Sequence, residues 1–258
     1  MRSRWPPPRD RVRPDVVLRL AVRTFSEVCL TAGTLIVLFV AYVLLWTGVK
    51  ADRAADGEMA RLRDRWAAGA PSAGPSPAPS AAPAATPAPP PAASAAPAEP
   101  RYAPGRAFAE MYVPRFGPDW VRPVLEGTDA ELLKKGLGHY ASTARLGAVG
   151  NFSVAGHRRT YGDPFKDFPK LRPGDEVVLR DAGTWYTYTV RGGPLRTVPT
   201  DVGVVDPVPP KSPFTAPGRY LTLTTCDPEW GYSHRLVVWA ELTGTRAGGQ
   251  GRPGGSSG

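Results

Sequence analysis

The feature that most limits what this chain can fold into is an apolar run near its N-terminus. Residues 28–49 form 22 consecutive positions without a charge. At 1.5 Å per residue, a helix of that length crosses a hydrocarbon core of about 30 Å. The run is followed by Lys50, Asp52 and Arg53 rather than by a small-residue cleavage site, and it is longer than the apolar region of a signal peptide. We therefore expect a retained transmembrane helix over residues 28–49, with a cleaved signal peptide as the alternative.

The charges in front of this span predict its orientation. Three acidic residues and seven arginines precede it, the arginines being Arg2, Arg4, Arg9, Arg11, Arg13, Arg19 and Arg23. Because positively charged flanks stay on the cytoplasmic side, we expect the N-terminus in the cytoplasm. Everything after Lys50 then lies outside a single-pass plasma-membrane protein.

A stretch rich in Pro, Ala and Ser divides this anchor from the rest of the chain. Residues 71–100 hold 11 Pro, 12 Ala and 4 Ser, a composition that buries too little apolar surface to offset the entropy of ordering. Extended as polyproline II, 30 residues reach about 90 Å, so we expect this linker to hold the following domain away from the lipid surface. The predicted segments are a cytoplasmic basic segment (1–27), a transmembrane helix (28–49), a juxtamembrane stalk (50–70), the linker (71–100), a folded domain (101–243) and a disordered tail (244–258).

Charge and cysteine content exclude several classes of function. The net charge of +9 suits a nucleic-acid partner, but residues 101–246 carry 19 Lys or Arg against 15 Asp or Glu, with no basic run among aromatic residues. Two cysteines 197 positions apart exclude a disulfide scaffold, and no Cys/His cluster suits structural zinc. We expect no nucleic-acid partner, no bound metal and no cofactor.

The folded domain reads as mainly β. Short segments rich in β-branched and aromatic residues alternate with Pro and Gly, which indicates a closed barrel or a sandwich. Only residues 129–135 have a helical pattern, and residues 202–205 suit one further turn. The predicted strands are 107–116, 151–157, 176–181, 185–191, 219–226 and 235–243.

Cys226 is the cysteine predicted to lie outside the membrane. An unpaired thiol in an oxidising compartment is unusual unless it is buried or used. On its predicted strand, Leu221 and Leu223 share one face. Cys226 shares the other face with Thr222 and Thr224. Buried packing is the ordinary alternative, because a thiol nucleophile needs a base or cation, a proton donor and an oxyanion donor beside it.

His157 and Arg235 are the candidates for those roles. His157 closes an apolar strand directly after Gly156, where the missing side chain permits close backbone approach. Arg235 begins the next strand nine residues after Cys226, so two antiparallel strands can bring both side chains to one mouth. Because Arg keeps its proton, it can donate to a carbonyl oxygen but cannot act as a base. Taken singly, a surface His and a solvated Arg are unremarkable.

Together these segments resemble the sortase family. Its marks are an aliphatic-Ala-Gly-His strand, a Thr-Leu-x-Thr-Cys strand and an Arg shortly afterwards, which here are Val154–His157, Thr222–Cys226 and Arg235. The resemblance covers about residues 107–243. Residues 111–117 and the Gly-His-Tyr at 138–140 further resemble the actinobacterial class E subgroup, as do the linker and the N-terminal anchor.

The resemblance implies an eight-stranded sortase β-barrel with one or two short helices, whose domain at 101–243 is a cysteine transpeptidase. The substrate would be an LPxTG-like sorting signal of secreted surface proteins, in class E typically LAxTG, cut between Thr and Gly. In this scheme the Cys226 thiolate attacks the Thr carbonyl, Arg235 stabilises the oxyanion, and His157 protonates the departing Gly amine. A peptidoglycan precursor amine then accepts the acyl group.

The resemblance also implies that Tyr140 lies near the second residue of the signal. We expect Thr225, directly before Cys226, to contact the substrate as well. Some sortases use calcium, but residues 200–219 carry only Asp201 and Asp206, too few carboxylates for six to eight oxygen ligands, so we expect calcium independence.

Two other classes compete with this interpretation. An L,D-type cysteine transpeptidase would need a His-Gly-Cys element, which the sequence lacks. A non-catalytic, stalked wall-binding β domain would explain the anchor, the linker and the strands, but it would leave the combination of Cys226, His157 and Arg235 to chance.

Overall fold

The computed structural model describes residues 14–69 and 102–253. The first half of the predicted cytoplasmic segment, the predicted linker and the last five residues of the predicted tail lie outside the described residues. The chain divides into two compact units after Thr47.

Helix α1 runs from Pro14 to Gly69. Its residues Leu18–Tyr42 are long and apolar enough to cross a membrane by length and composition, and they overlap the predicted span at residues 28–42. Every side chain described in that stretch is exposed to its surroundings, as expected of a helix whose apolar surface has no protein partner.

The second unit contains a β-barrel. Eight strands close in the order β6-β5-β1-β2-β3-β4-β8-β9, with β9 pairing back to β6, and the short strand β7 adds to the same edge of β9. This confirms the predicted eight-stranded barrel. The strands are β1 (Ala107–Tyr112), β2 (Val121–Glu126), β3 (Leu137–His139), β4 (Gly150–Ala155), β5 (Glu176–Arg180), β6 (Thr184–Val190), β7 (Leu195–Thr197), β8 (Arg219–Asp227) and β9 (His234–Ala247).

Alternation along the strands fills the barrel interior. Phe152 and Val154 of β4 point into the core, where Leu221 and Leu223 of β8 join them. Short helical elements occupy the connections: helix α2 (Ala130–Leu133) and the 3₁₀ turns Pro114–Phe116, Phe168–Lys170 and Val202–Val205. The last of these matches the turn predicted at residues 202–205.

Three strands, β2, β3 and the three-residue β7, were not predicted from the sequence. β2 contains Pro123, a residue that argues against a central strand. Pro123 pairs only with β1, at Glu110, because the ladder to β3 begins one residue later at Val124. β3 is three residues long and includes Gly138, so its sequence carries almost no alternation to detect.

Residues 48–69 of α1 pack against the barrel instead of standing free as a stalk. Leu62 is fully buried against Ala107 of β1 and Leu125 of β2. The buried stripe of this helical segment consists of Ala51, Ala55, Met59 and Leu62. Tyr102, just beyond the linker, stacks on Phe108 of β1. The described residues before and after the linker therefore both contact the barrel, so the linker is not a spacer between the helical segment and the barrel.

An ion pair supports this packing. The Arg63 guanidinium donates from Nε to Oε1 of Glu110 at 2.6 Å, and the Glu110 side chain is 0% exposed. The Tyr112 hydroxyl donates to the other carboxylate oxygen. Burial and this hydrogen bond raise the pKa of Tyr112 to about 12. Arg63 thus neutralises a charge that would otherwise be enclosed between helix and barrel.

Strand β9 continues beyond the predicted end of the domain. Residues 244–247, assigned to the disordered tail, pair with residues 184–187 of β6. The Gly-rich composition favoured disorder, but backbone hydrogen bonds to a neighbouring strand do not depend on side chains. The folded domain accordingly ends later than residue 243.

Candidate active site

Cys226 and Arg235 face each other across two antiparallel strands. They are direct partners in the register of β8 and β9. Nη1 of Arg235 donates to the carbonyl oxygens of Tyr232 and His234 at 3.0 Å each, which holds the guanidinium at the start of β9. The prediction that one loop brings both residues to one mouth is met by this register.

His157 reaches the same mouth from the other side of β8. Strands β4 and β8 are parallel, with Ala155 opposite Thr224. His157 lies two residues beyond Ala155, just as Cys226 lies two residues beyond Thr224. The Gly156 amide continues the ladder, donating to the Thr224 carbonyl at 3.1 Å.

Gly156 is required at its position because the backbone is crowded there. A Cβ on this residue would lie 2.6 Å from the Phe165 ring and 2.7 Å from the Leu137 side chain. Any larger residue would displace the end of β4. The glycine therefore fixes where His157 leaves the strand.

The candidate site residues share an outward face of the sheet, which we call the groove face, defined by Tyr140, Thr224, Cys226 and Arg235. Its lower end is covered by the Val202–Val205 turn, where Val204 packs on Val237 and Trp239 of β9. The indole of Trp239 donates to the Val204 carbonyl at 3.1 Å. The segment between β7 and β8 thereby forms one wall of the groove face.

Tyr140 lies on the groove face, and its partner was not predicted. Its hydroxyl is 3.0 Å from Oγ1 of Thr224. The strand alternation already placed Thr224 on the same face as Cys226, so this signal was available in the sequence. Thr225 points the other way: it is buried, and its hydroxyl donates to the Gly156 carbonyl at 2.8 Å. Its hydroxyl is used to join β8 to β4.

Charged residues clamp the loops around the mouth. Arg158, directly after His157, donates to Oδ1 of Asp227, directly after Cys226. Arg196 of β7 donates to Oδ2 of the same carboxylate at 2.6 Å. Burial raises the pKa of Asp227, but the hydrogen bonds from Arg196 and Arg158 outweigh it and leave this pKa lowered. Asp227 is therefore an anion shared by two cations.

The surroundings of His157 disfavour its charged form. Burial lowers the pKa of His157, and the nearby Lys134 ammonium lowers it further. The Tyr161 ring covers the imidazole at 5.1 Å between centroids. Nε2 of His157 is buried and has no hydrogen-bond partner among the described residues. A neutral imidazole with an unoccupied nitrogen is suited to receive a proton.

The two other histidines lie apart from this chemistry. His139 is buried in the barrel wall, with Nδ1 at 2.6 Å from Glu126 and its ring stacked on Phe152. His234 sits beside Arg196 and Ser233 at the surface. Within residues 14–69 and 102–253, no group of three or more His, Cys, Asp or Glu side chains could hold a metal ion.

Sequence comparison finds related proteins. A family profile described as "Sortase domain" matches residues 111–243. Sortase SrtE1 of Streptomyces coelicolor is 35% identical over 250 residues, which are 94% of this chain and 63% of that protein. Sortase SrtE2 of the same organism is 32% identical over 247 residues, 92% of this chain and 88% of that protein. The chain thus spans less than two thirds of the length of SrtE1.

Comparison of structures gives the same result. Sortase E from Streptomyces avermitilis is 65% identical with a TM-score of 0.57, covering 59% of this chain and 98% of that one. Sortase E1 from S. coelicolor, solved with a tripeptide in the active site, is 40% identical with a TM-score of 0.55 and the same two coverages.

Proposed function

Because this chain belongs to the sortase family, with class E relatives in sequence and in structure, we propose that it is a membrane-anchored cysteine transpeptidase. It cleaves an LAxTG- or LPxTG-like sorting signal between Thr and Gly and transfers the acyl group to an amine of a peptidoglycan precursor. The observation that carries this proposal is the meeting of Cys226, Arg235 and His157 at adjoining strand ends.

The first half-reaction forms a thioester. The Cys226 sulfur attacks the Thr carbonyl carbon while its proton passes to the neutral His157 imidazole, whose lowered pKa favours a vacant nitrogen in the resting enzyme. Arg235 donates to the carbonyl oxygen as it becomes negative. His157 then gives its proton to the Gly amine as the C–N bond breaks. The products are the acyl-enzyme and the released C-terminal peptide.

The second half-reaction reverses these roles. An amine of the wall precursor attacks the thioester, His157 takes the proton that this amine loses, and the Cys226 thiolate leaves. Water competes for the same thioester, so the groove must favour the amine over water. A tripeptide in the active site of the related sortase E1 supports peptide binding in this groove.

Tyr140 selects the second residue of the signal. Alanine there has an amide N–H that proline lacks, and in this proposal the Tyr140 hydroxyl, which lies 3.0 Å from Oγ1 of Thr224, accepts a hydrogen bond from it. Leaving such a group unpaired costs about 1 to 3 kcal/mol, about five- to 150-fold in specificity. LAxTG should therefore be preferred to LPxTG, and Tyr140→Phe should narrow the gap. Tyr186→Phe serves as the control, because the Tyr186 hydroxyl on β6 donates to Asp181 in the turn before that strand.

Membrane attachment completes the proposal. The helix over residues 18–42 anchors the protein. The arginines before it keep the N-terminus in the cytoplasm, which leaves the barrel at the outer surface with its secreted substrates and the wall precursor.

The experiment uses the detergent-solubilised full chain, an LAxTG peptide and a glycine amine, followed by mass spectrometry. The wild type should form a thioester with the peptide up to Thr and then the transpeptidation product, and Cys226→Ala should form neither while it remains folded. Product at the wild-type level from Cys226→Ala would contradict cysteine catalysis. A wild type that binds the peptide without cleaving it would favour a wall-binding domain.

A further inference from the structure

The residue after the nucleophile and the residue after the histidine are joined to each other. Arg158 and Asp227 are 69 positions apart in the chain, yet their side chains are 11% and 16% exposed and form an ion pair. They continue β4 and β8 past the last residues of the parallel ladder. Their contact therefore closes the gap between two strand ends that no longer share backbone pairs.

Asp227 forms a second ion pair, with Arg196, through its other carboxylate oxygen. Its Oδ2 accepts from Arg196 of β7, the strand that leads directly into the segment walling the groove face. β7 pairs with β9, with Thr197 opposite Arg235. One carboxylate thus contacts the end of the His157 strand and the strand beside Arg235.

We propose that Asp227 is a positioning residue that sets the distance between Cys226 and His157 through Arg158, and fixes the wall of the groove through Arg196. This inference rests on the proposed transpeptidase function. Neither arginine touches the reacting atoms; each acts through the carboxylate that they share.

The backbone after His157 shows why a contact that positions this residue is needed. Beyond Gly156, the backbone leaves the sheet and enters residues 160–163, all of which have positive φ. Three of them, Thr160, Tyr161 and Asp163, are not glycine, and this conformation is unfavourable for them. Inside this loop the Phe165 amide donates to the His157 carbonyl at 3.0 Å, and Arg159 pairs with Glu229 and Asp163. Arg158 ties its first residues to the nucleophile strand.

The two ion pairs of Asp227, with Arg158 and with Arg196, predict different kinetic effects. Loss of Arg158 moves His157 relative to the sulfur, and a shift of about 1 Å in a reacting group costs about 100-fold in rate. Loss of Arg196 leaves the reacting groups in place and loosens the wall against which the peptide lies. The first should lower kcat, whereas the second should raise KM.

The test measures kcat, KM and single-turnover acylation of the detergent-solubilised full chain with an LAxTG peptide. Arg158→Ala should lower kcat about 10- to 100-fold with KM changed less than about threefold. Arg196→Ala should raise KM about threefold with little change in kcat. Asp227→Ala should show both effects, and adding Arg158→Ala to it should cost nothing further, because one contact is lost only once.

The control is Arg191→Ala, which removes a similar but exposed ion pair to Glu241 far along β9 and should leave both constants unchanged. Melting temperatures are measured for every variant. If Asp227→Ala is poorly folded, Asp227→Asn, which keeps the volume and loses the charge, is judged by the same criteria.

The proposal is overturned if Arg158→Ala and the folded Asp227 variant each keep kcat within about twofold, or if their losses multiply in the double variant. A loss of kcat in Arg196→Ala equal to that in Arg158→Ala would contradict the separate roles given to the two ion pairs. Failure of the wild type to acylate would instead contradict the proposed function, so the two failures are distinguishable.

Discussion

Two carboxylates of this protein, Glu110 and Asp227, are each bound by an arginine from a distant part of the chain. Glu110 is completely enclosed and is held by Arg63 from α1. Asp227 lies at the edge of the active-site mouth and is held by two arginines. Removing Arg63 leaves a buried charge without a cation, whereas removing Arg158 leaves Asp227 with Arg196 and with water.

The same type of contact therefore does different work in the two places. Where burial is complete, the loss of one partner lowers the free energy of unfolding, because the remaining charge is desolvated. Where a second cation remains, the loss appears as a change of position. We expect variants at the contact between residues 48–69 and the barrel to lose stability while keeping kcat, and Arg158→Ala to lose kcat while keeping stability.

The strongest test of this contrast is Leu62→Ala. Truncating this fully buried side chain leaves a cavity against β1 and β2, and we expect the free energy of unfolding to fall by about 2 to 4 kcal/mol. Chemical denaturation of the full chain measures it, with exposed Val149→Ala as the control within about 0.5 kcal/mol. Unchanged stability would mean that residues 48–69 do not contribute to the domain.

Arg63→Ala tests the ion pair with Glu110 separately from the packing of Leu62. Leaving Glu110 without its cation should cost about 2 to 3 kcal/mol, less than a fully buried pair because the Arg63 side chain is 56% exposed. The control is Arg191→Ala, whose pair with Glu241 has both side chains more than 40% exposed and is worth about 0.5 kcal/mol. Equal losses in the two variants would show that the burial of Glu110 is not what makes its ion pair important.

A smaller effect is expected beside His157 from Lys134→Gln. This change removes one of the two causes that lower the pKa of His157, so that pKa should rise toward its ordinary value. In the folded wild type the histidine binds its proton less readily than in the unfolded chain, so stability rises with pH between the two pKa values, and this rise should diminish in the variant. NMR titration suits a chain with three histidines.

Lys135→Gln makes the same charge change one residue along the chain, whereas the pKa of His157 is lowered by burial and by Lys134. The pKa of His157 should be unaltered in it. Equal shifts in both variants would assign the effect to net charge rather than to the position of Lys134.

The smallest expected effect is that of calcium. Asp201, one of the two carboxylates between residues 200 and 219, already accepts hydrogen bonds from Lys211 and Thr197, and these lower its pKa. A carboxylate engaged in this way is a poor calcium ligand. The rate should therefore stay the same with EGTA, and a severalfold loss that calcium reverses would contradict this prediction.

The sequence predicted the central strands, and the face on which Cys226 lies, because those signals are local. β4, β8 and β9 alternate clearly, and Cys226 could be assigned to the face opposite Leu221 and Leu223 from that period alone. Thr224 could have been found by the same rule, since it shares that face. Thr225 directly precedes Cys226, but neighbours on a strand point to opposite sides, so its side chain points away from the groove face.

What the sequence did not predict depends on partners far apart in the chain. The apolar stripe on residues 48–69 looked thin because Ala51 and Ala55 are small, and their burial depends on the barrel residues that pack against them. Likewise, nothing near Asp227 in sequence indicates that Arg158 and Arg196 converge on it. Such contacts follow only from the strand order of the barrel.

The docking of residues 48–69 on the barrel gives the linker a different character from that of a tether. The described residues on either side of it belong to parts that are already packed together, and doubling the length of a connection between two such points adds only about 0.6 kcal/mol to its closure. The continuity of the chain between residues 71 and 100 is then dispensable for folding. A protein made as two polypeptides divided within this linker should reassemble without a covalent bond, one piece supplying Leu62 and Arg63 and the other supplying Leu125 and Glu110.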